Sequence, residues 1–182
     1  PMNTSLRMGK TCVWLPEGMW YDFFSAYIYK GNRTLTVFRS LDAIPVFVCA
    51  GAIVPLVSDK YTKNDVSNPD ALDIRVYCGR SGSFIMIEDD GITQNSPEVQ
   101  TVLIWNEYEN KTACFDLRIQ GTVSLIPQKR TFSIGFIGIT DTNDIIADIN
   151  GKPAAYEKKY DEYSHTLTVI PEFSNPERIL QM

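Results

Sequence analysis

Two stretches in the first third of the chain decide its fold. Residues 13–24 read Val-Trp-Leu-Pro-Glu-Gly-Met-Trp-Tyr-Asp-Phe-Phe, and residues 41–56 read Leu-Asp-Ala-Ile-Pro-Val-Phe-Val-Cys-Ala-Gly-Ala-Ile-Val-Pro-Leu. Their apolar runs are short and are bounded by Pro, Gly and Asp, which is typical of strands joined by turns. Between them, residues 33–38 alternate apolar and polar side chains, as in a strand with one buried face. These stretches predict β-structure.

The same rhythm continues along the chain. Further apolar or β-branched runs occupy residues 72–77, 83–88, 101–105, 114–119, 131–139, 145–149 and 166–170. Glycine and asparagine between the runs can enter the φ > 0 conformations of tight turns. The pattern predicts an all-β fold with two antiparallel β-sandwich domains in tandem. A polar stretch over residues 57–71 suggests a linker or surface loop, so we place the domains at residues 1–62 and 63–182.

Composition narrows the range of partners. The 182 residues are 44% hydrophobic and 12% aromatic, which is enough for sizeable cores, and the formal net charge is −5. Nucleic acids and anionic membrane surfaces require clustered Lys and Arg, and we expect neither partner. Runs of about 18 apolar residues, as a membrane span requires, are missing from the sequence. We expect a soluble protein, cytoplasmic or secreted or periplasmic, with the compartment left open.

The residue types that carry chemistry are sparse. Cys12, Cys49, Cys78 and Cys114 lack the short paired spacing of metal or redox sites, which predicts buried free thiols, with disulfides as the alternative. His165 is the single histidine and lies before the last apolar run without a partner motif, which predicts a solvent-facing turn residue. The sequence therefore predicts no catalytic residue, no metal and no cofactor.

The two opening stretches, followed by residues 72–79 and 83–91, occur in the order found in a known enzyme family. Together they resemble the segment that follows the catalytic barrel in family 31 glycoside hydrolases, the α-glucosidase and α-xylosidase family. The similarity is specific up to about Gly91 and general beyond it. Phe24 and Ser25 stand where the family more often has tryptophan and threonine, and Cys49 stands where arginine is common.

The resemblance implies a proximal sandwich, incomplete at its start and with an exposed edge, and a distal sandwich after it. It also implies a retaining α-glycosidase whose two catalytic aspartates lie on a (β/α)₈ barrel of the same polypeptide, outside this chain. The missing barrel is then the main partner. An oligosaccharide is a second one, and the chain supports the barrel and assists substrate positioning.

The acids in Glu88-Asp89-Asp90 invite a catalytic interpretation, because paired carboxylates perform general acid/base chemistry. The sequence Asp90-Gly91 favours turn capping instead, because acidic side chains accept backbone N–H bonds in turns. Successive strand residues also point to opposite faces. A calcium or sugar contact at Asp89 and Asp90 stays open as an alternative.

Aromatic residues crowd the first unit. Rings on a sheet surface stack against sugar faces, whereas rings in a small sandwich more often belong to its core or to an interface. We therefore name Trp14, Trp20 and Tyr21 as candidates for contact with sugar or with the barrel. The rival hypothesis is a free-standing carbohydrate-binding or adhesion module. A third is an immunoglobulin-like spacer that binds no sugar.

Overall fold

The computed structural model describes residues 2–3, 7–58, 67–109, 111–140, 144–172 and 180–181. The regular elements among these residues are strands, apart from one 3-10 turn at Val123–Leu125, so the predicted all-β fold is confirmed. The strands are β1 (Met2–Asn3), β2 (Met8–Leu15), β3 (Met19–Asp22), β4 (Ile28–Lys30), β5 (Arg33–Ser40), β6 (Phe47–Cys49), β7 (Ile53–Val57), β8 (Ala71–Tyr77), β9 (Gly82–Glu88), β10 (Val99–Glu107), β11 (Ala113–Gly121), β12 (Thr131–Ile137), β13 (Asp148–Ile149), β14 (Lys152–Pro153), β15 (Tyr156–Asp161), β16 (Thr166–Pro171) and β17 (Leu180–Gln181).

The first compact unit runs from residue 1 to 50 and holds two small antiparallel sheets, ordered β1-β2-β5 and β4-β3-β6. Its buried apolar side chains include Leu15, Tyr21 and Val37. The predicted alternation in β5 is confirmed, because Leu35 and Val37 are the less exposed residues and Thr34 and Thr36 are exposed. This unit thus has a small interior.

The second compact unit runs from residue 51 to 182 and is a sandwich of a six-stranded sheet, β14-β13-β17-β11-β10-β9, and a five-stranded sheet, β15-β16-β12-β8-β7. Alternate residues of β10 enter the core, where Leu103 is fully buried. Trp105 and Phe115 both pack against Phe136, with ring centroids 5.1 and 5.8 Å away. Side chains from both sheets therefore fill one continuous interior.

One pairing in the second unit departs from the purely antiparallel pattern that we predicted. Strands β8 and β12 run parallel, with Ile74 opposite Ile134. The two strands lie far apart along the chain, and parallel neighbours need a long crossover rather than a hairpin. Local turn signals do not reveal such a pairing, since it is made by the sheet as a whole.

The predicted boundary at residues 62 and 63 lies outside the described residues. The two compact units divide between Ala50 and Gly51, because β7 pairs with β8 in the five-stranded sheet. The Ser58 N–H donates to the Ala71 carbonyl, which closes that pair of strands. The polar stretch between them thus connects two strands of one sheet, and the assignment of proximal and distal domains stays a prediction.

The expectation of four buried thiols is wrong for three of them. All four cysteines are free, but Cys12 and Cys49 are exposed, Cys114 is partly buried and only Cys78 is buried. Burial is the main cause that raises the pKa of the Cys78 thiol, followed by the negative charge of Glu107. Cys12 is exposed because it lies on the outward side of β2, with Trp14 two residues further on.

In the part of the chain that the structure describes, no helix has the length and apolar character needed to cross a membrane.

Candidate functional site

The outward side of β2 and β5 carries exposed aromatic rings. In the register of this pair, Trp14 lies opposite Thr34 and Phe38 lies opposite Lys10. Residues directly opposite in an antiparallel pair point to the same side of the sheet, so these side chains share one surface with Cys12 and Thr36. Trp14 is 63% exposed and Phe38 is 52% exposed. We call this surface the aromatic face.

A turn that follows β3 presents two more rings. The Asp22 carboxylate is 2% exposed and accepts hydrogen bonds from the N–H groups of Phe24 (3.1 Å) and Ser25 (3.0 Å). The Arg39 guanidinium pairs with the same carboxylate. These contacts set the turn, and its side chains Phe24 and Tyr27 are 65% and 70% exposed. We call residues 22–27 the aromatic turn.

The three predicted aromatic contacts are not brought together on one surface. Only Trp14 exposes most of its side chain. Trp20 is partly buried, and its Nε1–H donates to the Pro16 carbonyl at 3.0 Å. Tyr21 is 1% exposed, so its ring belongs to the interior of the first unit. Phe24, Tyr27 and Phe38 were not predicted as contacts, although the β5 alternation placed Phe38 on the wet side.

The predicted acids form a turn after β9. The Asp89 Oδ1 accepts from the Gly91 N–H at 2.7 Å. The Asp90 Oδ1 accepts from the N–H groups of Ile92 (3.0 Å) and Thr93 (2.8 Å). Hydrogen bonds from the Thr93 side chain and from the Thr93 and Ile92 backbone lower the pKa of Asp90 to about 2. The turn-capping interpretation is confirmed.

Glu88 has a different role, which sequence reasoning missed. Its two carboxylate oxygens each accept a 2.7 Å hydrogen bond from Arg130, a residue of which 1% is exposed. The Arg130 Nε–H donates to the Pro69 carbonyl at 2.8 Å. The Asn68 amide nitrogen donates to the Asp89 carbonyl (2.8 Å) and the Leu125 carbonyl (2.9 Å). Since Glu88 is bound in this network, the three acids do not converge on one substrate position.

Among the described residues, the possible metal ligands and the single histidine do not form a reactive cluster. Three or more His, Cys, Asp or Glu side chains do not come together there as a metal site would require. His165 is exposed in a turn, as predicted, and its Nδ1 lies 3.1 Å from the Tyr160 hydroxyl. A cleft of about 190 Å³ beside β2 and β5, lined partly by Lys10 and Arg39, is smaller than typical ligand pockets of about 300–1,000 Å³.

Comparisons with known proteins point to one enzyme family. The family model described as "Glycosyl hydrolase family 31 C-terminal domain" matches residues 2–54. A protein named alpha-xylosidase from Saccharolobus solfataricus is 38% identical over 99 residues, which is 52% of this chain and 13% of that protein. The chain thus spans about an eighth of the length of this relative. The predicted resemblance to family 31 is confirmed, with residues 2–54 matching the C-terminal domain of that family.

Solved structures extend the similarity over nearly the whole fold. A family 31 dextranase from Flavobacterium johnsoniae, complexed with isomaltotriose, matches 94% of this chain and 24% of its own, with a TM-score of 0.72 and 19% identity. The cycloalternan-forming enzyme from Listeria monocytogenes matches 94% of this chain and 16% of its own, with a TM-score of 0.66 and 21% identity. A family 31 alpha-xylosidase from Xanthomonas citri matches 70% of this chain and 14% of its own, with a TM-score of 0.58 and 28% identity. The first two show the shared fold.

Proposed function

We propose that this chain, whose residues 2–54 match the family 31 C-terminal domain, is the non-catalytic C-terminal region of a retaining α-glycosidase. In this proposal its first unit contacts the catalytic barrel of the same polypeptide. The observation that carries the proposal is the amount of apolar surface on so small a unit. Seven large apolar side chains of that unit are 47–70% exposed, namely Trp14, Phe24, Tyr27, Ile28, Phe38, Leu41 and Ile44.

Burial of an exposed apolar side chain lowers the free energy of the protein, by roughly 25 cal/mol for each Å² removed from water. Single exposed residues need no explanation, but contiguous groups mark interaction surfaces. On the aromatic face, Trp14 and Phe38 share one side of a two-strand pair. The aromatic turn presents its rings on a backbone already held by Asp22. Both features favour a preformed surface for a large partner.

The acids of the second unit support a non-catalytic role. A retaining glycosidase holds two carboxyl groups about 5 Å apart around one sugar. In this chain Asp89 and Asp90 are bound to the backbone of their own turn, and Glu88 is bound by Arg130. The catalytic aspartates are then on the barrel, and the substrate is an α-linked glucoside or xyloside. Trp14 is the residue best placed to extend a sugar-binding region by ring stacking.

The first test measures the barrel contact in the full-length enzyme that contains this chain. Trp14→Ala and Phe38→Ala should lower its unfolding temperature by several degrees, because each removes apolar area buried in the interface. Tyr163→Ala is the matched control, since Tyr163 is 90% exposed on the second unit. It should change nothing. If both face variants melt like the wild type, the proposed contact is wrong.

The second test separates bracing from sugar binding. The chain is titrated with maltose, isomaltose and a xyloglucan oligosaccharide while tryptophan fluorescence is recorded, and release of p-nitrophenol from α-glucoside and α-xyloside substrates is measured. Absence of binding and turnover is expected for a brace. Binding that Trp14→Ala abolishes would add the sugar contact. Turnover by the chain alone would refute the non-catalytic role.

A further inference from the structure

The second unit has four sheet edges in the part of the chain that the structure describes. Strands β14 and β9 bound the six-stranded sheet, and β15 and β7 bound the five-stranded sheet. An edge strand leaves half of its backbone N–H and C=O groups free to pair with another strand, and proteins block such pairing with lysine, proline or a bulge. The four edges can therefore be compared residue by residue.

Three of the four edges carry a blocking residue. Lys152 and Pro153 make up β14, Pro55 lies in the middle of β7, and Lys158 and Lys159 lie side by side in β15. Strand β9 carries none of these. Its sequence is Gly-Ser-Phe-Ile-Met-Ile-Glu, and its pairing with β10 runs through all seven residues without a bulge. Among the described residues, β9 is thus the edge strand without a blocking residue, although Gly82 at its start lies against the Gly51 backbone.

The side chains of β9 also favour association. Ile85 and Ile87 point to the outer side of the sheet and are 53% and 57% exposed. On β10, the partly buried Val102 lies opposite Ile85, and Gln100 lies opposite Ile87. The single charged residue, Glu88, is held on the inner side by Arg130, and its side chain is 8% exposed. The free edge therefore presents an apolar strip without an unpaired charge.

These observations point to a second copy of this chain as the partner, and we infer that β9 pairs with β9 of that copy in antiparallel register. With a two-fold axis through Met86, Ile85 lies opposite Ile87 of the second copy and Phe84 lies opposite Glu88. Like charges do not meet in this arrangement. The same operation on β15 would bring the adjacent Lys158 and Lys159 of the two copies together, which is unfavourable. Two six-stranded sheets then join into one, with an isologous interface.

The pairing is independent of the proposed function, because it involves the second unit and not the aromatic face. Sedimentation velocity and light scattering of the chain over a wide concentration range should show a monomer–dimer equilibrium. Ile85→Lys places a charge on the open edge and should abolish the dimer at every concentration tested. The matched control is Ile146→Lys, at a residue that is 80% exposed and outside the strands. It should leave the dimer intact.

Amide hydrogen exchange locates the interface. Residues 84–88 should exchange more slowly at high protein concentration, whereas β15 should be unaffected. Far-UV circular dichroism checks that both lysine variants keep the β fold. A monomer at all concentrations, a dimer that persists in Ile85→Lys, or protection confined to other strands would each overturn the inference. Growth beyond the dimer would overturn it too, because a two-fold pairing of one edge is closed.

Discussion

The two units of this chain differ in how far they bury the apolar side chains of their sheets. The second unit packs two large sheets around a core that includes Val76, Leu103 and Ile134, all at most 1% exposed. The first unit has two three-stranded sheets and buries few apolar side chains. Sheets need an apolar face against another layer for independent stability. The second unit supplies that layer itself, whereas the first leaves seven large apolar side chains 47–70% exposed.

Buried polar groups differ in the same way. In the second unit the Arg130–Glu88 pair ties the start of β12 to the end of β9 and to the Pro69 carbonyl. In the first unit the buried Asp22 organises a surface turn. The Arg130–Glu88 pair holds parts of the sandwich together that are distant in sequence. The Asp22 hydrogen bonds to backbone N–H groups hold only the short turn that carries Phe24 and Tyr27. Four substitutions test this contrast.

The largest effect is expected for Arg130→Met. The substitution leaves the Glu88 carboxylate buried without its cation, which should lower the free energy of unfolding of the second unit by about 3–5 kcal/mol. Urea unfolding followed by Trp105 fluorescence measures it, in a background of Trp14→Phe and Trp20→Phe. Adding Glu88→Met should recover most of the loss. Arg80→Met, at an exposed residue, is the control and should stay within about 0.5 kcal/mol. A loss no larger than the control would contradict the role of the pair.

A smaller and local effect is expected for Asp22→Ala. It orphans the N–H groups of Phe24 and Ser25 and leaves Arg39 without its carboxylate, at a cost of about 1–3 kcal/mol to the first unit. Hydrogen exchange of β3 amides should speed up, while exchange in β10 stays unchanged. Asp42→Ala, at an exposed residue, is the control. Equal acceleration in both units would show that the two are not separate in stability.

Thr101→Val is expected to raise the free energy of unfolding of the second unit rather than lower it. Thr101 is 0% exposed, and its hydroxyl has no hydrogen-bond partner among the described residues. Replacing the hydroxyl by a methyl group of similar shape removes an unsatisfied polar atom and should stabilise the second unit by about 1 kcal/mol. Thr101→Ala should destabilise it instead, because a cavity remains. Urea unfolding compares the two, and a less stable valine variant would imply a partner for the hydroxyl.

The smallest effect concerns pH. Because the pKa of Asp90 falls from its ordinary value of 3.8 to about 2 on folding, its contribution to stability is complete above 3.8 and is lost as the pH falls through about 2. Asp90→Asn should therefore show a shallower loss of stability over this range. Carbon-detected NMR of the Asp90 carboxyl provides the direct measurement. Titration near 3.8 in the wild type would mean that the turn bonds do not persist in solution.

Local patterns proved sufficient for much of the fold. Period-two alternation predicted β5, an apolar run over residues 101–105 predicted β10, and Asp90-Gly91 predicted the capped turn, because all three depend on neighbouring residues. Strand β15 was not predicted, and β7, which lies almost wholly in the β-structure predicted from residues 41–56, was not separated as a strand. The proline within β7 and the charged residues of β15 weaken the usual signal, and both strands lie at sheet edges, where such residues are tolerated.

The sequence by itself determined the all-β class, most strand positions, the acidic turn and the resemblance to family 31, since each is encoded by residues close together in the chain. Only the tertiary structure decided the parallel pairing of β8 with β12, the place of β7 in the second unit and the partner of Glu88, 42 residues away. It also decided which aromatic rings are exposed. The physical reason is that burial and long-range pairing depend on which surfaces meet in space, and a local pattern states only which side chains could be buried.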